Sequence, residues 1–227
     1  MLVALNELML LIFSIDGSLS RYSKKTKIYR RDIALRIIAG TAGGRRFDAP
    51  TGRNTRPTLD RVKEAMFGMI QFDVEGRRVL DLFAGSGNLG LEALSRGADY
   101  VVFCDSDRNA AALVESNLKL LGFADRGEVV SSDCFSLLSR IAQRDEQFSL
   151  VLLDPPYNAG LTEKVLNALV ELKLLSVGCI ILAEHSQKIP IDMELLNSKC
   201  RDALEFRIPR KYGDVGLTYI RFNGGEK

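Results

Sequence analysis

The sequence predicts an α/β fold: a doubly wound, mostly parallel seven-stranded sheet preceded by a small N-terminal β-hairpin/helix extension. Three observations predict it. Beyond Arg77, short apolar runs alternate with stretches of helical period. A glycine-rich turn follows the first of those runs and opens onto a helix. The last two runs follow one another across a short connection, which suits an antiparallel pair at a sheet edge.

Five runs read as parallel strands: Arg78–Phe83, Tyr100–Asp105, Glu128–Asp133, Phe148–Asp154 and Gly178–Ala183. They are rich in β-branched and aliphatic residues, as strands covered on both faces are. Helical spacing fills the gaps over Leu89–Ser95, Arg108–Leu121, Phe135–Ala142 and Thr162–Leu172. After Ile191 a short helix precedes two strands, Ala203–Ile208 and Leu217–Phe222, joined by the turn Pro209–Gly216. Ahead of the sheet, Arg36–Pro50 reads as two short strands around a glycine turn. Thr58 or Asp60 then caps a helix reaching about Ile70, with Val62, Ala65, Met66 and Met69 at helical spacing.

The 227 residues suit one ordinary domain with some extra at an end. With 46% apolar and 26% charged residues, a globular core forms and wholesale disorder is excluded. The net charge of +2 is unevenly spread: Arg21 to Arg61 carries +9 and the rest −7. A basic first third on an acidic body points to a polyanionic partner at one end, or to a solvated arm. Cys104, Cys134, Cys179 and Cys200 form no CxxC pair, and His185 is the single histidine, so no metal site is expected. Such cysteines read as reduced core residues of a cytoplasmic protein. The apolar run Leu8–Ile15 is too short to span a bilayer and has no basic residue before it, so no membrane association is expected.

The first strand leads into Asp81-Leu-Phe83-Ala84-Gly85-Ser86-Gly87-Asn-Leu-Gly90. Glycines there let the backbone turn sharply and approach a ligand at a helix N-terminus. Asp105 closes the second strand, where a carboxylate can accept from ribose hydroxyls. Gly85–Gly90 also matches the GxGxxG fingerprint of dinucleotide-binding folds, so an NAD-dependent oxidoreductase is a rival at this motif. Asp81 weighs against it, because a carboxylate suits a cationic ligand better than a pyrophosphate.

The fourth strand ends in Asp154-Pro155-Pro156-Tyr157. Two prolines cannot continue a central strand, so they form a stiff exit beside the crevice. An exocyclic amino group on a base is a poor nucleophile because its lone pair is delocalised into the ring. Asp154 can accept one of its hydrogens, the Pro155 carbonyl the other, and Tyr157 can stack on the base. Asp154 also favours the positive charge that develops on nitrogen.

The frame Asp81–Gly87 with Asp105 and Asp133 resembles the class I S-adenosylmethionine-dependent methyltransferases, and Asp154–Tyr157 is similar to the (D/N/S)PP(Y/F/W) motif of amino-group methyltransferases. The resemblance implies that Asp81, Phe83, Ala84 and Gly85–Gly87 hold the methionine part of S-adenosylmethionine. Asp105 and Ser106 would hold the ribose, and Asp133 and Cys134 the adenine. Arg36–Gly40, the element Thr55–Ala65 with Arg56, Pro57, Thr58 and Arg61, Glu184-His185 and Lys211–Asp214 resemble the RsmD family of 16S ribosomal RNA guanine-N2 methyltransferases. By that resemblance Arg56, Pro57, Thr58 and Arg61 cover the cofactor. Arg36, Arg45, Arg46, Arg53, Arg61, Lys211 and Tyr212 are candidates for the RNA surface, each arginine being equally readable as a solvated charge. His185 reads as a structural strand-end histidine rather than a general base.

The expected organisation is an extension or an early start over 1–34, an RNA- and cofactor-covering element over 35–76, and the methyltransferase domain over 77–227. The expected partner is ribosomal RNA, a small subunit or an assembly intermediate, and the expected state is a monomer. A DNA adenine-N6 or cytosine-N4 methyltransferase shares the tetrapeptide, but needs a recognition insert for which the short loops leave no space.

Overall fold

A computed structural model describes residues 35–50, 57–157 and 160–224. The expected extension over 1–34, Arg53 and Arg56 lie outside the described residues. Two short strands, β1 (Leu35–Arg36) and β2 (Arg46–Phe47), pair antiparallel around a glycine-containing turn, as expected. Helix α1 (Pro57–Met69) follows. It begins at Pro57, so Thr58 and Asp60 sit inside its first turn and neither is its cap. Then come β3 (Arg78–Asp81), α2 (Asn88–Ser95), β4 (Tyr100–Asp105), α3 (Arg108–Leu121), β5 (Gly127–Ser131), α4 (Cys134–Ala142), β6 (Phe148–Leu153) and α5 (Leu161–Glu171). The chain closes with β7 (Leu175–Ser186), α6 (Ser198–Ala203), β8 (Leu204–Phe206), β9 (Arg210–Tyr212) and β10 (Val215–Phe222).

The sheet order is β5-β4-β3-β6-β7-β10-β8, with β9 also on β10. The pairs from β5 to β7 are parallel, and β10 runs antiparallel to β7, β8 and β9. The doubly wound, mostly parallel sheet is as expected, with eight strands among the described residues rather than seven.

The additional strand corrects the reading of Pro209–Gly216 as one turn. The edge chain runs beside β10 first as β8 and then as β9, with Arg207-Ile208-Pro209 between them. Pro209 has no N–H to give the ladder, so pairing breaks there and resumes at Arg210. The turn itself is only Gly213-Asp214, since Tyr212 pairs with Val215. Strand β7 is 12 residues long, extending past the expected Gly178–Ala183 at both ends, because β6 and β10 pair along it.

Side chains that alternate along the strands feed two apolar layers. Val79, Val101, Phe103 and Leu150 face α1, α2 and α3 through Met66, Phe67, Leu91, Leu94, Val114 and Leu118. Leu80, Val102, Cys104 and Val151 face α4, α5 and α6 through Leu137, Leu138, Val165, Leu166 and Cys200. The four cysteines are buried and free. This winding sends β4 and β5 to one side of β3 and β6 and β7 to the other. The carboxyl ends of β3 and β6 therefore flank the point where the chain direction switches, the usual place for a ligand in an open α/β sheet.

Candidate active site

The turn after β3 is built around two glycines and one carboxylate. Gly87 has φ 81° and precedes α2, a conformation that disfavours a side chain. Gly90 is required for a different reason. A Cβ there would lie 2.2 Å from Phe103 Cε1, so α2 packs on β4 only without a side chain at this point. The Gly90 N–H donates to Asp81 Oδ2 at 2.9 Å. Asn117 on α3 braces the same turn, donating to the Ser86 and Asp48 carbonyls and accepting from the Asp48 N–H. That brace escaped the sequence reading because its partners are 31 and 69 residues away.

A cavity of about 790 Å³ opens at the carboxyl ends of β3, β4 and β6, within the range of small-molecule sites. Twelve of the predicted residues line it: Phe83, Ala84, Gly85, Ser86, Asp105, Ser106, Asp133, Cys134, Asp154, Pro155, Pro156 and Tyr157. Asp81 and Gly87 do not. Asp81 is fully buried behind the wall, and its Oδ1 has no partner among the described residues. The expected direct grip on a ligand is thus corrected to a buried carboxylate that ties the turn to α2. Burial pushes its pKa up to about 7, against the Gly90 hydrogen bond, which favours the ionised form. Asp105 accepts from the Gly85 and Asp107 N–H groups at 2.8 and 2.9 Å, which holds its carboxylate on the wall. Asp133 caps α4, with Oδ1 accepting from the Phe135 and Ser136 N–H groups.

Asp154 follows the last residue of β6, and Pro155 is buried while Pro156 and Tyr157 are exposed. Leu153 pairs with Ala183 in β7, so Asp154 and Glu184 occupy the next positions on neighbouring strands. The Tyr157 hydroxyl donates to Glu184 Oε1 at 2.8 Å. Burial and then Glu184 raise the Tyr157 phenol above its ordinary pKa, keeping it a neutral donor. Glu184 is itself buried on the cavity wall; burial raises its carboxyl, opposed by the Tyr157 hydrogen bond and His185. The sequence marked Glu184 only as part of the Glu184-His185 pair that carries the family resemblance, with no role in the site. Both His185 nitrogens are engaged, Nε2 at 2.9 Å from Thr218 Oγ1 and Nδ1 at 3.0 Å from the Ser186 carbonyl, so the ring is structural, as expected.

The roof of the cavity comes from Leu35, Pro50, Val62 and Lys63. A buried polar network fixes this segment to α2. Glu92 accepts from the Ile38 and Ala39 N–H groups at 2.8 and 3.0 Å and pairs with Arg96 at 2.7 Å. Lys63 lies 3.3 Å from the same carboxylate and donates to the Arg36 carbonyl and to Asn88 Oδ1. Burial lowers the Lys63 pKa and Glu92 counters that.

The basic residues predicted for RNA divide. Arg36 is exposed and pairs with Asp60 at 2.9 Å. Arg46, Arg61 and Lys211 are exposed on β2, α1 and β9. Arg45 is corrected: its guanidinium donates to the Leu120 and Leu121 carbonyls, where it satisfies the negative end of α3 and is not free for phosphate. Tyr212 is half-buried against the core, so its ring is partly withdrawn from any surface. Arg53 and Arg56 lie outside the described residues, as do the side chains of Pro57 and Thr58.

This architecture decides against the dinucleotide rival. Folds with that fingerprint keep six parallel strands in the order 3-2-1-4-5-6, whereas here an antiparallel β10 is wedged between β7 and β8. A family model described as "Conserved hypothetical protein 95" matches residues 35–220. The chain belongs to this family. The match bears out the resemblance to RsmD. YlbH of Bacillus subtilis, named as a candidate rRNA methyltransferase, is a relative 41% identical over 157 residues, 69% of this chain and 85% of its own length. Ribosomal RNA small subunit methyltransferase D of Escherichia coli is 34% identical over 179 residues, 77% of this chain and 88% of its own. Among solved structures, the candidate methyltransferase yhhF of Escherichia coli superposes with a TM-score of 0.71 at 27% identity, covering 84% of this chain and 98% of that one. The family's fold is therefore the class I methyltransferase fold, as expected.

Proposed function

We propose that this chain transfers a methyl group from S-adenosylmethionine to the exocyclic N2 amino group of a guanine in small-subunit ribosomal RNA. The observation that carries the reading is that Asp154-Pro155-Pro156-Tyr157 and the glycine turn line one cavity. Membership of a family that includes small-subunit rRNA methyltransferases supports the choice of substrate.

The residues present fit the cofactor. Asp105 and Asp133 offer carboxylate oxygens on the wall to a nucleoside, and the backbone of residues 83–86 lies open to its amino-acid part. Asp81 Oδ1, buried without a partner among the described residues, is an acceptor for a cationic amino group acting through a bridging water. When bound, the cofactor supplies an electrophilic methyl group on a sulfonium. The protein then needs to orient the amine and offset its developing charge. Asp154 accepts one N–H of the amine, and the Pro155 carbonyl accepts the other. The Tyr157 ring, 48% exposed, offers the base a stacking surface. Arg36, Arg46, Arg61 and Lys211 supply phosphate contacts from the strands and helix around the mouth, with 35–76 as the covering element and 77–227 as the catalytic domain. A ribosomal RNA substrate places the reaction in the cytoplasm.

Mass-spectrometric mapping of small-subunit RNA incubated with the protein and labelled cofactor tests this. One N2-methylguanosine is the expected product. Label on adenine, on cytosine or nowhere would overturn the reading.

A further inference from the structure

We infer that Glu184 reads the base by accepting the N1–H of guanine, making it a specificity-determining residue of the site. The inference rests on the proposed function and deepens it. Asp154, just past the end of β6, and Glu184 within β7 each lie one step beyond the paired Leu153 and Ala183. Neighbouring strands lie about 4.8 Å apart. Both residues line the cavity, so its floor presents two carboxylates side by side to whatever edge of a base enters.

That wall is selective by charge and hydrogen-bond sense. The pairing edge of guanine places the N1–H donor next to the N2 amino donors, with its acceptor, O6, on the far side of N1. Adenine and cytosine place a ring-nitrogen acceptor next to their amino groups. Against Glu184 that lone pair would face a carboxylate oxygen, which is repulsive and leaves both groups without a partner. With Asp154 on the amine, the neighbouring carboxylate falls on the neighbouring ring nitrogen. Glu184 has the capacity for it. Its Oε1 receives the Tyr157 hydroxyl at 2.8 Å, which aims the carboxylate and leaves Oε2 for the base. Its burial means that few water molecules compete for that oxygen. The same hydrogen bond ties the reading group to the stacking ring, so recognition and placement of the base are set together.

The test uses small-subunit RNA in which the mapped guanosine is replaced by 2-aminopurine ribonucleoside. This analogue keeps the amino group, lacks O6 and replaces N1–H with an acceptor, so the change of the ratio in a Glu184 variant isolates the N1 contact. The wild-type protein is expected to prefer guanine by roughly 10- to 100-fold in kcat/KM, the discrimination that one well-made polar contact carries. Glu184→Gln keeps an acceptor for Tyr157 and adds an N–H donor. It is expected to lose activity on guanine and to narrow the guanine to 2-aminopurine ratio by about 10-fold or more. If Glu184 only anchored Tyr157, E184Q would change both substrates alike and leave the ratio fixed, which overturns the inference. Equal wild-type rates on both substrates overturn it without any variant. Failure of the wild-type protein to methylate guanine in the RNA at all overturns the proposed function as well, so the two failures are distinguishable.

Discussion

Gly90→Ala puts the packing that positions the site against helix propensity. On an isolated helix the change is favourable, by about 1 kcal/mol. Here the new Cβ would lie 2.2, 2.8 and 2.9 Å from three atoms of the Phe103 ring. The ring is fully buried and closed in on its far side, where a Cβ at Gly127 would come within 3.2 Å of Cε2. Relief therefore requires α2 to lift from β4 by about 1 Å to regain ordinary carbon contact. Overpacking of this kind costs about 1–3 kcal/mol. Weakening the Gly90 hydrogen bond to the Asp81 carboxylate adds about 1–2 kcal/mol. Set against the propensity gain, the expected net loss is about 1–4 kcal/mol in urea denaturation. Because Asp81, the turn and α2 move together, affinity for S-adenosylhomocysteine in calorimetry should fall as well. Adding Phe103→Leu makes room at the point of conflict, so the double variant should lose less than the two single losses combined. A Gly90→Ala protein as stable as wild type, with unchanged ligand affinity, would refute this account of the turn.

Four further outcomes follow from the same geometry. Lys63→Met removes the buried cation beside Glu92 while Arg96 remains, and should lower stability in urea by about 3 kcal/mol, the low end for breaking a buried pair. Arg45→Ala should cost about 1 kcal/mol of thermal stability by uncapping α3 and leave the salt dependence of RNA binding unchanged. Arg61→Ala and Lys211→Ala should each reduce that salt slope by about 1 with stability intact. The last outcome concerns pH. A carboxyl whose folded pKa is about 7 against an ordinary 3.8 binds its proton more tightly in the folded state. Stability should therefore fall as pH rises from about 4 to 7 and level off above, by up to about 4 kcal/mol from this group. Urea midpoints across that range should flatten in Asp81→Asn.

The strands and helices were legible because burial on both faces of a parallel sheet leaves an unmistakable apolar rhythm, and Arg108–Leu121 matches its expected bounds residue for residue. The cavity wall was legible for a related reason. Ligand-binding residues of this fold sit at strand ends, and strand ends can be counted along a sequence. What escaped depends on pairing across the fold. Arg45 reads as a surface charge until α3 is seen to end beside it, 75 residues on. Asp81 reads as a ligand contact until the wall is seen to begin at Leu82. Glu92 reads as an ordinary helix acid, although its carboxylate receives the backbone of the N-terminal turn. Glu184 was legible only as part of the Glu184-His185 family resemblance, and its place beside Asp154 comes from the register of β6 on β7, which no local pattern encodes. Strand β9 was missed because Pro209 looks like a turn residue, and on a sheet edge it merely interrupts pairing.

The most direct measurement compares Asp154→Ala with wild type in two assays on the same preparations, calorimetric binding of S-adenosylhomocysteine and single-turnover methylation of small-subunit RNA. Asp154 is assigned to the amine and not to the cofactor. Affinity should therefore stay within about 3-fold, while the methyl-transfer rate drops about 100-fold or more, as when one preorganised charge-stabilising group is removed. Methyl transfer at the wild-type rate in Asp154→Ala would contradict the account.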